Sequence, residues 1–93
     1  MPEEMINLRN ALDARGVEWE NESDNLDRSF PFLNLIMYRT SFKWKNKRYS
    51  VICGYGTLGG TKGLLELHVD NDATGSLTAV DVLRIIDEVE DDS

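Results

Sequence analysis

Between Ile36 and Tyr55 the chain is written in period two, and that alternation constrains its fold more than any other feature. Ile36, Tyr38, Thr40, Phe42 and Trp44 fall on one side of an extended segment that reaches back to Leu33. Leu35, Met37, Arg39, Ser41 and Lys43 fall on the other. A polar gap, Lys45-Asn46-Lys47, follows, and asparagine tolerates the left-handed backbone of a tight turn. Tyr49, Val51, Cys53 and Tyr55 then return with Ser50 and Ile52 as their alternates. Two such runs around a short polar gap predict a β-hairpin.

The ends of the chain carry a different period. Met5, Leu8 and Leu12, with Ala11 beside them, recur at helical spacing and predict a helix over residues 3–15. Pro2 suits its first turn, Glu3 and Glu4 suit the positive end of its dipole, and Gly16 suits a left-handed cap. Ala79, Val82, Leu83, Ile86 and Val89 form a second stripe, preceded by Thr78 as N-cap with Asp81 three residues on, a capping-box spacing. Residues 90–93 are expected to fray as an acidic tail.

Val17-Glu18-Trp19-Glu20 alternates as a short edge strand would, residues 21–28 read as a loop, and Pro31 keeps Phe30 extended. Leu64 to Val69 reads as a further strand and Asp70 to Gly75 as a turn. The resulting expectation is an α+β fold. Its N- and C-terminal helices pack on one face of a three- to four-stranded, mainly antiparallel sheet, and residues 1–93 form a single domain. The other sheet face then needs cover, from the 21–32 loop or from a partner.

Charge is unevenly distributed. From Arg28 to Lys62 there are seven basic residues and no acid, although the whole chain of 93 residues carries a net charge of −7. The centre is thus +7 between acidic flanks. Within it, Arg39, Lys43, Lys45, Lys47 and Arg48 surround the turn with Trp44 and Tyr49 interleaved. These seven residues are the candidate binding surface. Basic groups beside aromatics can contact phosphates and stack on bases, whereas a partner with an acidic patch would answer the charge alone. The competing expectation is that the aromatics pack across the hairpin and the lysines neutralise the flanks.

Two motifs carry less. Gly54-x-Gly56-x-x-Gly59 follows a strand, but Gly60 and Gly63 interrupt any following helix, so no nucleotide cofactor is expected. Residues 70–81 resemble the calcium loop of the EF-hand family. Asp70, Asp72, Thr74, Ser76 and Asp81 fall at positions one, three, five, seven and twelve, and Gly75 at six. Threonine at five and the short aspartate at twelve depart from the pattern, and a turn followed by an N-cap explains the same residues, so no metal site is expected. His68 is the sole histidine and Cys53 the sole cysteine, which is too little for a closed zinc site. Cys53 reads as a small buried apolar residue, and no catalysis is expected. No apolar run is long enough to span a membrane and no secretory leader is visible, so the cytoplasm is the expected location.

The combination Leu12-Asp-x-Arg-Gly-Val17-Glu-Trp19, Tyr38-Arg-Thr40-x-Phe42, Ser50-Val-Ile52-x-Gly-Tyr-Gly56 and Gly63-Leu-Leu-Glu66 is similar to uncharacterised small proteins of Gram-positive bacteria and their mobile elements, prophages included. Such proteins have no assigned chemistry, so the resemblance carries over no functional residue. It implies an accessory role that depends on binding. The charge pattern and the uncovered sheet face point to a protein partner or self-association, with nucleic acid as a further option.

Overall fold

The hairpin is the centre of the sheet. In the computed structural model, which describes residues 2–25, 36–54, 63–70 and 72–89, β3 (Ile36–Trp44) and β4 (Lys47–Gly54) pair antiparallel with Trp44 opposite Lys47. The turn is therefore two residues long, and both Lys45 (φ 51°) and Asn46 (φ 64°) are left-handed. Positive φ at both positions matches the right-handed twist of the flanking strands. The expected extension to Leu33, the loop and Pro31 within 26–35, the glycine segment 55–62 and the tail 90–93 lie outside the described residues.

A meander grows outward from this hairpin. β1 (Trp19–Asn21) and β2 (Asp24–Asn25) lie along successive halves of β3, while β5 (Leu65–Val69) follows β4 and β6 (Asp72–Leu77) follows β5. Every pairing is antiparallel and the order across the sheet is β1-β3-β4-β5-β6, so the sheet is one strand wider than expected. The difference lies in two segments. Asp72–Leu77, read as turn and cap, is a paired edge strand, and Asp24–Asn25, read as loop, pairs with Met37 and Ile36. Between Leu67↔Thr74 and Leu65↔Leu77, β6 spends one residue more than β5, and Ser76 at φ 59° absorbs the resulting bulge.

Helices α1 (Glu3–Ala14) and α2 (Ala79–Glu88) lie side by side on the face that carries Phe42, Tyr49, Val51, Cys53, Leu65 and Leu67. Met5, Leu8 and Leu12 from α1 meet Ala79, Val82 and Ile86 from α2 over these strands in one core. Fully burying a leucine or isoleucine side chain contributes about 1.5–3 kcal/mol, so these helical stripes are what hold the layers together. Cys53 is buried as expected, and burial raises its thiol pKa.

Two contacts fix the relative direction of the helices. A Glu4 carboxylate oxygen accepts from the Ala79 amide at 3.0 Å, and at the opposite ends Arg15 donates to both oxygens of Asp87 at 2.6 and 2.9 Å. The helices therefore run parallel, an arrangement in which their dipoles oppose side-by-side packing. Acids stand at the positive ends (Glu3, Glu4, Asp81). Arg15 and Lys45 stand at the negative ends, with the Lys45 ammonium donating to the carbonyls of Asp87 and Val89 at 2.9 and 3.4 Å. Pro2 is the N-cap of α1 rather than its first helical residue, and Gly16 takes the expected left-handed conformation (φ 72°). The capping box is complete: the Asp81 amide donates to Thr78 Oγ1 at 3.2 Å, and the Thr78 amide donates to Asp81 Oδ2 at 3.0 Å.

Candidate functional site

The seven residues singled out on the basic hairpin do not share one exposed face. Tyr49 is fully buried, its ring stacked on its cross-strand partner Phe42 with centroids 5.3 Å apart, and burial first, then Asp70, raises its hydroxyl pKa against the opposing pull of Lys47. It is a core residue and not a stacking platform. Lys45 is spent on the C-terminal carbonyls of α2, Lys47 stands 3.7 Å from Asp70, and Arg48 stands 3.9 Å from Glu20 and 3.7 Å from Glu22. Arg39 projects from the opposite sheet face with its Nε buried and without a hydrogen bond. The acidic flanks have folded onto the basic centre, because β1, the β5–β6 turn and α2 all return to the hairpin. Lys43 stays exposed and Trp44 half-buried.

What the hairpin does build, together with the end of α1, is a groove. The left-handed turn at Gly16 and a bond from the Val17 amide to the Leu12 carbonyl at 2.9 Å swing the chain from α1 directly into β1. Trp19 is then held from two sides. Its indole donates to Asp13 Oδ1 at 2.9 Å, and the Arg9 guanidinium lies over its ring, 4.7 Å from the centroid. Arg9 is itself buried, donating to Thr40 Oγ1 at 2.7 Å, Asn21 Oδ1 at 3.1 Å and the Arg39 carbonyl at 3.4 Å. Trp44 is covered in the same way by Arg15, 5.5 Å from its centroid, which the Asp87 pair holds in place. That pair keeps the Asp87 carboxyl below its ordinary pKa, chiefly through the hydrogen bond from Arg15.

Between these two clamped indoles lies an open groove of about 960 Å³, floored by Val17, Trp19, Phe42 and Trp44. Asp13, Glu18 and Glu20 rim it along α1 and β1, and Lys43 and Arg48 rim it along the hairpin. Half-buried tryptophans set among charged groups of both signs make a mixed, largely polar surface of the kind found at the rim of protein contacts. Of the residues singled out from sequence, Lys43, Trp44 and Arg48 line this groove. Trp19, Asp13 and Arg9 were missed. The available signal was a lone tryptophan between two glutamates in an edge strand, where solvent would be expected.

The other polar constellations are dispersed. Asp70 sits in the β5–β6 turn, Asp72, Thr74 and Ser76 lie along β6, and Asp81 closes the capping box, which lowers its pKa. A paired strand cannot wrap its alternate oxygens around an ion, so the loop that the EF-hand resemblance implies is not the conformation of this segment. Among the described residues no three His, Cys, Asp or Glu side chains stand together as a metal centre would need. On the helix-free sheet face His68 contacts Glu66, whose side chain is nearly buried. No helix among the described residues is long and apolar enough to cross a membrane.

No family model, curated protein or solved structure matches this chain.

Proposed function

We propose that this chain is a non-catalytic accessory protein of the cytoplasm that works by binding another protein, and that the groove between Trp19 and Trp44 is its contact surface. One observation carries the reading: two tryptophans, each clamped by an arginine, floor a groove of about 960 Å³ at the edge of the sheet. Rigid aromatic side chains held in place before contact give much binding area for little ordering cost, which is why tryptophan recurs among the residues that dominate interfaces. The resemblance of the sequence to uncharacterised small proteins of Gram-positive bacteria and their mobile elements, which have no assigned chemistry, implies a binding role of the same kind. Nucleic acid is less favoured, since Lys45, Lys47 and Arg48 face helix carbonyls or carboxylates and a net charge of −7 opposes approach to phosphates.

Affinity capture from the cells that express the chain tests this. The immobilised protein should retain a protein that survives nuclease treatment, is lost with the rim variants Glu18→Lys and Lys43→Glu, and is kept by Glu88→Lys on α2. Captured material that nuclease removes, or a partner indifferent to both rim variants, would refute the groove as the contact surface.

A further inference from the structure

One wall of this groove is β1, the edge strand among the described strands, and its backbone geometry specifies what can lie along its outer side. β1 pairs with β3 so that Glu20 faces Ser41, and one pair further on the Glu22 amide donates to the Arg39 carbonyl at 3.0 Å. In an antiparallel ladder alternate residues turn their backbone groups inward, so Glu20 and Glu22 spend theirs on β3. Trp19 and Asn21 turn theirs outward. Val17 shares that outward parity, but its amide is already taken by the Leu12 carbonyl. Among the described residues no strand pairs with this edge, which offers the N–H and C=O of Trp19 and Asn21 at a spacing of about 6.8 Å that matches alternate residues of an incoming strand.

The side chains on the two sides of this edge differ in character. Glu18, Glu20 and Glu22 share the helix-free side and are all exposed. The cation facing Glu20 and Glu22 among the described residues is Arg48, at 3.7–3.9 Å, with 69% of its side chain exposed. On the other side stand Trp19 and Val17, both half-buried; the groove lies on the β3 side of these residues, and Glu18, Glu20, Ser41 and Phe42 line it with them. A second copy of this chain is a poor occupant. Pairing β1 with itself about Trp19 would set Glu18 opposite Glu20, and like charges directly opposed across strands are destabilising.

We infer that the β1 edge takes up an extended segment of a partner protein as an added strand, with lysine or arginine on the glutamate side alternating with apolar residues on the Trp19 side, next to the groove. This rests on the groove being the contact surface and names the chemistry of what occupies it.

The probe is an eight-residue peptide alternating lysine and valine, with two controls: glutamate in place of lysine, and backbone N-methylation at alternate valines. Binding is followed by the indole signals of Trp19 and Trp44 and by amide hydrogen exchange. The lysine–valine peptide should shift both indoles and slow exchange at Trp19 and Asn21, while both controls fail. Glu20→Lys should weaken it about fivefold to tenfold, as expected for reversing one cross-strand charge. Glu88→Lys, which changes net charge equally, should not. Equal binding of the acidic or N-methylated peptide, or unchanged exchange at Trp19 and Asn21, overturns strand addition. If the indoles then still respond to the partner isolated by affinity capture, the groove stands alone as the contact surface. If they respond to neither, both proposals fall.

Discussion

Replacing Arg9 by methionine should be among the most damaging single changes in the chain, and the structure allows its size to be worked out. The guanidinium makes two good hydrogen bonds, to Thr40 Oγ1 at 2.7 Å and Asn21 Oδ1 at 3.1 Å, and a longer one to the Arg39 carbonyl. Hydrogen bonds to a charged group contribute about 1.5–3 kcal/mol each, so the two good ones amount to about 3–6 kcal/mol. Stacking on Trp19 adds about 0.5–2 kcal/mol. Opposing these is the desolvation of a cation that is only 8% exposed, which costs several kcal/mol and also draws its pKa down. Methionine recovers that cost and keeps the packing of the stem. The gross gain of about 3.5–8 kcal/mol, less several kcal/mol of desolvation, leaves a net loss of about 1–4 kcal/mol, a large part of the roughly 5–14 kcal/mol expected for a domain of this length. Equilibrium urea unfolding, followed by tryptophan fluorescence, measures it as a midpoint lowered by about 1–2 M at an m-value typical of small domains. Arg9→Lys should lose nearly as much, because an ammonium lacks the planar fork that spans Thr40 and Asn21. A methionine variant within about 0.5 kcal/mol of the parent, or more stable than it, would refute the claim that Arg9 ties α1 to the edge of the sheet.

The capping box gives a second expectation: Thr78→Ala should cost about 0.5–2 kcal/mol in the same assay, equally with and without calcium. Calorimetric titration of calcium into chelator-treated protein should show no binding up to millimolar concentration, whereas micromolar binding abolished by Asp70→Ala would revive the cation loop. Asp81 and Asp87 both have folded pKa values below the ordinary 3.8, so their stabilisation is complete above that value and is lost as pH falls through the lowered pKa values. Melting temperature should accordingly drop on acidification below about pH 4, and Asp87→Asn should flatten that drop; an unchanged acid limb in the variant would argue against the Arg15 pair. The Cys53 thiol, buried and with its pKa raised, should react with an aromatic disulfide reagent only once urea unfolds the chain, and rapid native labelling would contradict its place in the core.

The parts of the fold that were legible in the sequence are those where burial writes a period. Met5, Leu8 and Leu12 announce α1, Val82 and Ile86 announce α2, and Tyr49, Val51 and Cys53 announce the inward side of β4. β6 was illegible for the opposite reason. As an edge strand it exposes Asp72, Ala73 and Thr74, so its residues are selected for solubility, and Gly75 and Ser76 look like a turn because they form a bulge. β2 is two residues long and leaves no pattern at all. The candidate site was half legible. Trp44, Lys43 and Arg48 were visible as a basic aromatic cluster, but proximity in sequence could not show that Tyr49 points into the core or that Asp70, Glu20 and Glu22 return to the lysines and arginines. Arg9 lies off the apolar stripe of α1 and carries no sequence signal of its own. Only the register that brings Thr40 and Asn21 beneath α1 shows it to be a buried strut.

The most direct test of the groove is a nitrogen–proton correlation spectrum of the labelled chain, titrated with the protein partner that affinity capture recovers. Shifts should gather on Asp13, Val17, Trp19, Asn21, Lys43 and Trp44, the two indoles included, and leave β6 and the exposed Ile6 and Val80 of the helical layer unmoved. Shifts centred on Ile6, Val80 or Asp72–Leu77, with the Trp19 and Trp44 indoles unchanged, would contradict the groove as the binding surface.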